Sequence, residues 1–358
     1  MKKDLSSVKT VDLKAAAGQT LAELFSPAFF QPSPAVQNLH LVPDDVLQAM
    51  HAGWHTGQHM PRPFIIRRLS DVYVTEEGLV FTRDNELIIQ TIAQHSAAEC
   101  QRAYERVLSK TESVPEEKPS LLLRKRGDHN YGHWLVELLP RLWRAERVGS
   151  YSCLVVPQVS GAMQAVIRDS VALSSPRYYQ YLSLGNDEVR YFRTLTLVEG
   201  LTDHGVYMSP LCFERNEQMS AAMFSGSPLR LYIARPGSRR SLAHEEQIQA
   251  LLIRYGFITV DPTALTLLEQ IKLFRNAACV VGVMGAGMSS IVFCAAGTKV
   301  GILAPATMPD TFYAFIAGIR GLTYQEIRGE TEHPSTTWDV PFVILPEQLE
   351  ALLRQWAL

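Results

Sequence analysis

From Ser120 to about Leu303, short β-rich runs and helix-length runs alternate along the chain, and no other feature limits the fold as much. Strands separated by helices pair in parallel, and a parallel sheet needs helices on its faces, so the pattern calls for βαβ units in an α/β fold. One series comprises a strand at 121–123, a helix at 131–147, a strand at 154–156 and a helix at 161–172. A second begins at Leu229: strand 229–234, helix about 241–255, strand 257–260, helix about 267–276, strand 279–283, helix about 287–295 and strand 299–303. Between them the polar stretch 214–228, with Ser225, Gly226, Ser227 and Pro228, is the expected boundary.

The 358 residues exceed twice the usual ~150-residue domain and favour two cores. Residues 1–60 are punctuated by Pro27, Pro32, Pro34, Pro43 and Pro61, which suits a surface-laid lead-in with short helices such as 43–50. Residues 64–92 hold four β-rich runs separated by turn residues, the pattern of an antiparallel meander. A helix is expected at 97–110 and a loop at 111–119, and Leu349, Leu352, Leu353 and Trp356 mark a closing amphipathic helix. The expected division is 1–120, an N-terminal extension with a β-meander; 121–225, a first α/β domain; 226–345, a second α/β domain; and 346–358, the final helix.

Charge narrows the function. With 34 Lys+Arg against 36 Asp+Glu, no general field gathers phosphate backbone or anionic lipid. Nucleic-acid binding is therefore not expected, and an anionic ligand must be bound locally. Asp4, Lys9, Asp12 and Lys14 interrupt the apolar runs near the start, so neither a signal segment nor a membrane span is expected and the chain reads as cytoplasmic. Cys100, Cys153, Cys212, Cys279 and Cys294 form no C-x-x-C pair and read as reduced core thiols.

Three stretches could carry chemistry. At 279–290 an apolar strand runs into Met284-Gly285-Ala286-Gly287-Met288-Ser289, a turn whose backbone N–H groups and helix start suit a phosphate; close helix–strand packing is the bland explanation of its glycines. No Asp or Glu follows at ribose-binding distance, which disfavours a dinucleotide. At 232–241 a strand leads into a turn carrying Arg235, Arg239 and Arg240, whose forks suit phosphate oxygens; a solvated basic loop is the alternative. Together the two suggest a diphosphate. At 129–141, His129, His133 and Glu137 fall at i, i+4 and i+8, so one helical stripe would hold a general base and its orienting partner, or polar groups satisfied in the core. Zinc is disfavoured without H-E-x-x-H. His51, His55 and His59 read as a polar loop, Thr266–Glu269 as a capping box, and Ser289 and Ser290 lack the order of a nucleophile elbow.

Taken together these stretches resemble glycosyltransferase family 61, which includes bacterial capsular-polysaccharide enzymes and plant xylan-decorating transferases. The resemblance covers roughly 120–330. It rests on His133-Trp134-Leu135 with Glu137-Leu138-Leu139-Pro140-Arg141; on Tyr232-Ile233-Ala234-Arg235 with Arg239, Arg240 and His244-Glu245-Glu246; and on Leu267-Leu268-Glu269 with Gly285-Ala286-Gly287-Met288, Phe293, Tyr313 and Tyr324. It implies a GT-B architecture, two Rossmann-like domains facing a cleft. It also implies an inverting, metal-independent transfer of a sugar from a nucleotide diphosphate-sugar to a hydroxyl of a glycan or small acceptor, with no other cofactor, as in polysaccharide biosynthesis. Arg235, Arg239, Arg240 and the backbone of Gly285, Ala286, Gly287, Met288 and Ser289 would hold the diphosphate, and His133 and Glu137 would handle the proton. Two positions depart from the family pattern: Met284 stands where it reads His, and Ile302 where it commonly offers a glutamate to the nucleoside. With Glu269 these complete the nucleoside or supporting candidates. An inactive binding or scaffold protein is the alternative class, a nucleotide-dependent hydrolase or phosphorylase a third, and a homo-oligomer is left open.

Overall fold

A computed structural model describes residues 7–55, 57–110, 114–159, 161–224, 226, 228–235, 237–335 and 337–358. Asp4, residues 111–113 of the expected loop, Ser225, Ser227 and Pro236 lie outside them. The chain forms two compact units: Met1–Ser26 with Arg62–Leu201, and Pro27–Pro61 with Thr202–Leu358.

The first unit is built on a mixed sheet of nine strands among the described residues. Val189–Glu199, Ser120–Leu122, Cys153–Val155 and Gln180–Leu182 lie side by side in parallel and take in the two strands of the first βαβ series. The helix Gly161–Ser174 connects two of these strands. On the other side of Val189–Glu199 the sheet turns antiparallel, through Pro63–Thr75, Val80–Thr82 and Leu87–Ile88. Two of the expected short runs are thus one strand. The Ser70-Asp71 pair does not end it, because Asp71 takes a left-handed φ of 54° inside the strand, a conformation Asp tolerates better than most residues. Its carboxylate is held there by the Tyr191 hydroxyl and by Arg193, and these bonds pull the Asp71 pKa down against a smaller opposing effect of burial.

The second unit contains a seven-stranded sheet among the described residues. Ile258–Val260, Leu229–Ile233, Ala277–Val283, Lys299–Pro305 and Thr323–Thr331 lie in that spatial order, all parallel. Counted along the chain this is order 2-1-3-4-5, a doubly wound arrangement whose switch point falls between the first and third strands. Phe342–Val343 closes the end antiparallel. The helix Pro346–Gln355 buries Leu349, Leu352 and Leu353, with Trp356 just beyond it, as its spacing requires.

The proline-rich lead-in is largely exposed or half-buried, as expected, but it is also woven into the second unit. Ala35–Gln37 adds to Thr323–Thr331 as a parallel strand, and helix Asp44–Trp54 sends Met50 into full burial. Its prolines punctuate an added edge strand, where a missing N–H costs little. The anchor is a buried ion pair, Arg328 with Glu326, both fully enclosed. Arg328 also lies 4.8 Å over the Trp54 ring, and the Trp54 indole donates to Glu326 at 3.2 Å. His51 lies on this helix and stacks on His55, 4.7 Å away, whereas His59 sits on strand Gly57–His59, so the three make no common face. All five cysteines are buried free thiols, and burial pushes Cys153 up to about 11 and Cys294 up to about 12. No helix among the described residues is long and apolar enough to cross a membrane.

Candidate active site

The second unit's arginine turn and glycine turn follow neighbouring strands. Leu229–Ile233 and Ala277–Val283 are paired with Ile233 opposite Gly282, so Arg235 and Gly285 both lie just past the carboxyl ends of the two strands that flank the switch point. There two guanidinium groups meet on one carbonyl: Arg235 Nη1 donates to Met284 O at 2.8 Å and Arg240 Nη1 donates to the same oxygen at 2.9 Å. Arg240 is buried, and that burial together with the charge of Arg235 depresses its pKa. Its Nε has no partner among the described residues. The carboxylate that reaches it, Asp339, stands 3.9 Å away and is about half exposed.

Gly285 is what lets the cations lie on the turn, since a Cβ there would sit 2.5 Å from Arg235 Nη1. At Gly287 a Cβ would come within 2.9 Å of Pro262 Cγ. The segment that follows, Ala286–Phe293, is a 3₁₀ helix rather than the expected α-helix. Its first amides lack intrahelical acceptors, but Met288 N–H is already given to Gly285 O at 2.9 Å. The diphosphate candidates thus separate by position. Arg235, Arg240, Gly285, Ala286 and Gly287 converge, Met288 and Ser289 are enclosed beneath, and Arg239 is exposed. Tyr313, which the notion of a diphosphate clamp did not include, is buried beside Ser289. Burial and then Asp310 push its phenol well above the usual range, with Ser289, Arg240 and Arg235 acting the other way.

The nucleoside candidates are placed differently. Met284 and Ile302 are fully buried, and Ile302 sits mid-sheet between Gly282 and Glu326. Glu269 closes the capping box read from the sequence: its carboxylate accepts from Thr266 N–H at 2.8 Å and from the Thr266 hydroxyl at 2.7 Å. Those bonds lower its pKa.

In the first unit the His-Trp-Leu motif follows the carboxyl end of strand Ser120–Leu122. Asn130 starts the helix by accepting from Gly132 N–H at 2.8 Å, which offsets the glycine in the first turn. His129 therefore stands outside the helix and is exposed, and the expected three-residue stripe reduces to two. Trp134–Leu138 is a π-helix. Pro140 has no N–H to give the carbonyl four residues back, and the ladder widens so that Leu139 N–H reaches Trp134 O. Arg141 Nε donates to the Glu137 carbonyl at 3.2 Å within this wide turn, and its Nη1 pairs with Glu199 at 3.0 Å. Trp134 ties the same turn to helix Gly161–Ser174 through a 2.8 Å bond to the Ser170 hydroxyl.

The turn presents His133 beside Glu137, with Nδ1 2.7 Å from Glu137 Oε2. Glu137 is 1% exposed and also accepts from the Lys125 ammonium. Lys125 Nζ lies 3.5 Å from His133 Nδ1. A carboxylate oxygen accepts, so the Nδ1 nitrogen carries the proton and the imidazole lone pair falls on Nε2. Sequence reading missed Lys125; the signal was available, because it follows a parallel strand's carboxyl end, where ligands of α/β sheets bind.

The fold and these two constellations describe an α/β protein with two arginines sharing one carbonyl at a switch point and a histidine held by a buried glutamate. Residues 131–301 match the family model Glycosyltransferase 61, and over this stretch the chain is similar to glycosyltransferase family 61. The match takes in His133, Glu137, Arg235, Arg240 and the glycine turn, and stops just short of Ile302. No curated protein matches the chain.

Proposed function

We propose that the protein is an inverting GT-B glycosyltransferase that moves a sugar from a nucleotide diphosphate-sugar to a hydroxyl of a glycan or small acceptor, without a metal and in the cytoplasm. The observation that carries this reading is the convergence of Arg235 and Arg240 on the Met284 carbonyl at the switch point. Two cations crowded on a single neutral oxygen, one of them desolvated, favour a ligand bearing at least two negative charges, and a diphosphate supplies them. The amides of Ala286 and Gly287 add the positive end of a helix to the same place.

In the reaction the acceptor oxygen attacks the anomeric carbon as the bond from that carbon to the diphosphate oxygen breaks. The electron pair leaves with the nucleoside diphosphate, whose growing charge Arg235 and Arg240 neutralise. The acceptor proton passes to His133 Nε2, and Glu137, held by Lys125, stabilises the imidazolium that results. Attack from the face opposite the leaving group inverts the carbon. A nucleotide-sugar-binding protein without turnover is the second reading, favoured by the buried Met284 thioether where the family resemblance puts a histidine. Calorimetry with a panel of nucleotide sugars tests the first claim. A dissociation constant in the micromolar range that Arg235→Ala abolishes supports it, and no heat from any of the panel overturns it. Transfer of labelled sugar then separates enzyme from binding protein.

A further inference from the structure

We infer that the cleft beside His133 in the first unit binds a neutral, hydroxyl-rich ligand, a saccharide, which on the reading above is the acceptor. The cleft holds about 500 Å³ and is bordered by the loop 124–129 and by Glu77, His95 and Glu99, a size suited to more than one sugar ring. Three of its lining side chains carry buried polar atoms with no hydrogen-bond partner among the described residues: both ring nitrogens of His95, Nη1 of Arg124 and Oε2 of Glu77. His95 is 2% exposed. Burial, acting against the nearby Glu99 and Glu77 charges, lowers its pKa, so the ring is a neutral imidazole with one donor and one acceptor.

The unsatisfied set thus contains donors and acceptors together. An apolar ligand would leave all of them unpaired, which is costly in a buried wall. An anion would suit Arg124 but meet the Glu77 carboxylate. The charges also balance, and each cation of the loop is already matched: Arg124 with Asp128, Lys125 with Glu137, and Arg126 with Glu99. No surplus charge is left to select an ion. Sugar hydroxyls donate and accept at once, and adjacent hydroxyls can span the carboxylate, guanidinium and imidazole.

The test exposes the full chain to a printed array of neutral oligosaccharides and their uronic-acid and phosphorylated counterparts, with affinities of the hits measured by calorimetry. Binding to one or more neutral glycans is expected, weakened at least tenfold in Glu77→Gln and in His95→Phe, each compared with wild type by melting temperature. Binding confined to acidic glycans, binding to none, or neutral-glycan affinity unchanged in both variants overturns the inference. Nucleotide-sugar binding by wild type is measured in parallel. Its absence alongside neutral-glycan binding sinks the transferase reading and leaves the cleft's ligand class standing; its presence without glycan binding does the reverse.

Discussion

The two charged constellations of this protein are built on opposite principles. In the first unit each cation has its carboxylate: Lys125 lies on Glu137, Arg141 on Glu199 and Arg124 on Asp128. In the second, Arg235 and Arg240 share a neutral carbonyl, and the carboxylate within reach of Arg240 is distant and half exposed. A balanced buried network holds side chains in a fixed geometry and can shuttle a proton without changing the total charge. An unbalanced one is costly when empty and is relieved when an anion arrives. On the function proposed above, the first region would orient a base and the second would receive a phosphate.

This contrast can be broken by experiment. The largest effect is expected from Glu137→Gln, which keeps the side chain's shape but removes the charge that Lys125 and His133 both use. Sugar transfer should fall by on the order of 100- to 10,000-fold, with nucleotide-sugar affinity within about twofold of wild type; an equal loss of both would erase the division of labour. Arg240→Ala should do the opposite at the binding step, weakening a nucleotide diphosphate-sugar by about 100-fold, or ~3 kcal/mol, which calorimetry reads directly. Gly285→Ala is a finer probe, because its methyl group would displace the Arg235 guanidinium and not the backbone. About tenfold weaker donor binding with a melting temperature close to wild type is expected, and unchanged affinity would mean that Arg235 is not seated where the anion binds.

The smallest effect concerns the balanced unit alone. Glu99 is partly buried, which disfavours its charge, but bonds from the Ser96 N–H and hydroxyl and from Arg126 prevail and hold it at about 2. A carboxylate depressed in the folded state stabilises it above the unfolded pKa and loses that contribution as pH falls toward 2. Ser96→Ala should cost about 1 kcal/mol at neutral pH, and the difference from wild type should shrink in acid; urea unfolding at pH 7 and pH 3 would reveal a constant gap if Glu99 were not the cause.

Much of the α/β order was legible in the sequence because βαβ units need long apolar runs of two distinct periods. The strands after Leu229 and the capping box at Thr266 are visible in residues a few positions apart. What escaped depends on distant partners. Asp71 reads as a turn and is instead held in a strand by Tyr191 and Arg193. Ala35–Gln37 carries no strand signal of its own and is defined by the edge it joins. At the candidate site, residue types were readable but their ranking was not: Arg239 and Arg240 are adjacent, and only packing decides that one is exposed and the other buried. His95 and Lys125 were missed because nothing local marks a polar side chain that folding encloses.

The chain's passage through Pro27–Pro61 has a practical corollary for anyone who wishes to dissect the molecule. A fragment starting at Thr202 would lose the Ala35–Gln37 strand and the Trp54 side chain, leaving the Glu326–Arg328 pair to be rehydrated and an edge uncovered. A single cut cannot divide this polypeptide into its two halves. Only by splicing 27–61 ahead of 202–358 would the second unit be expressed whole.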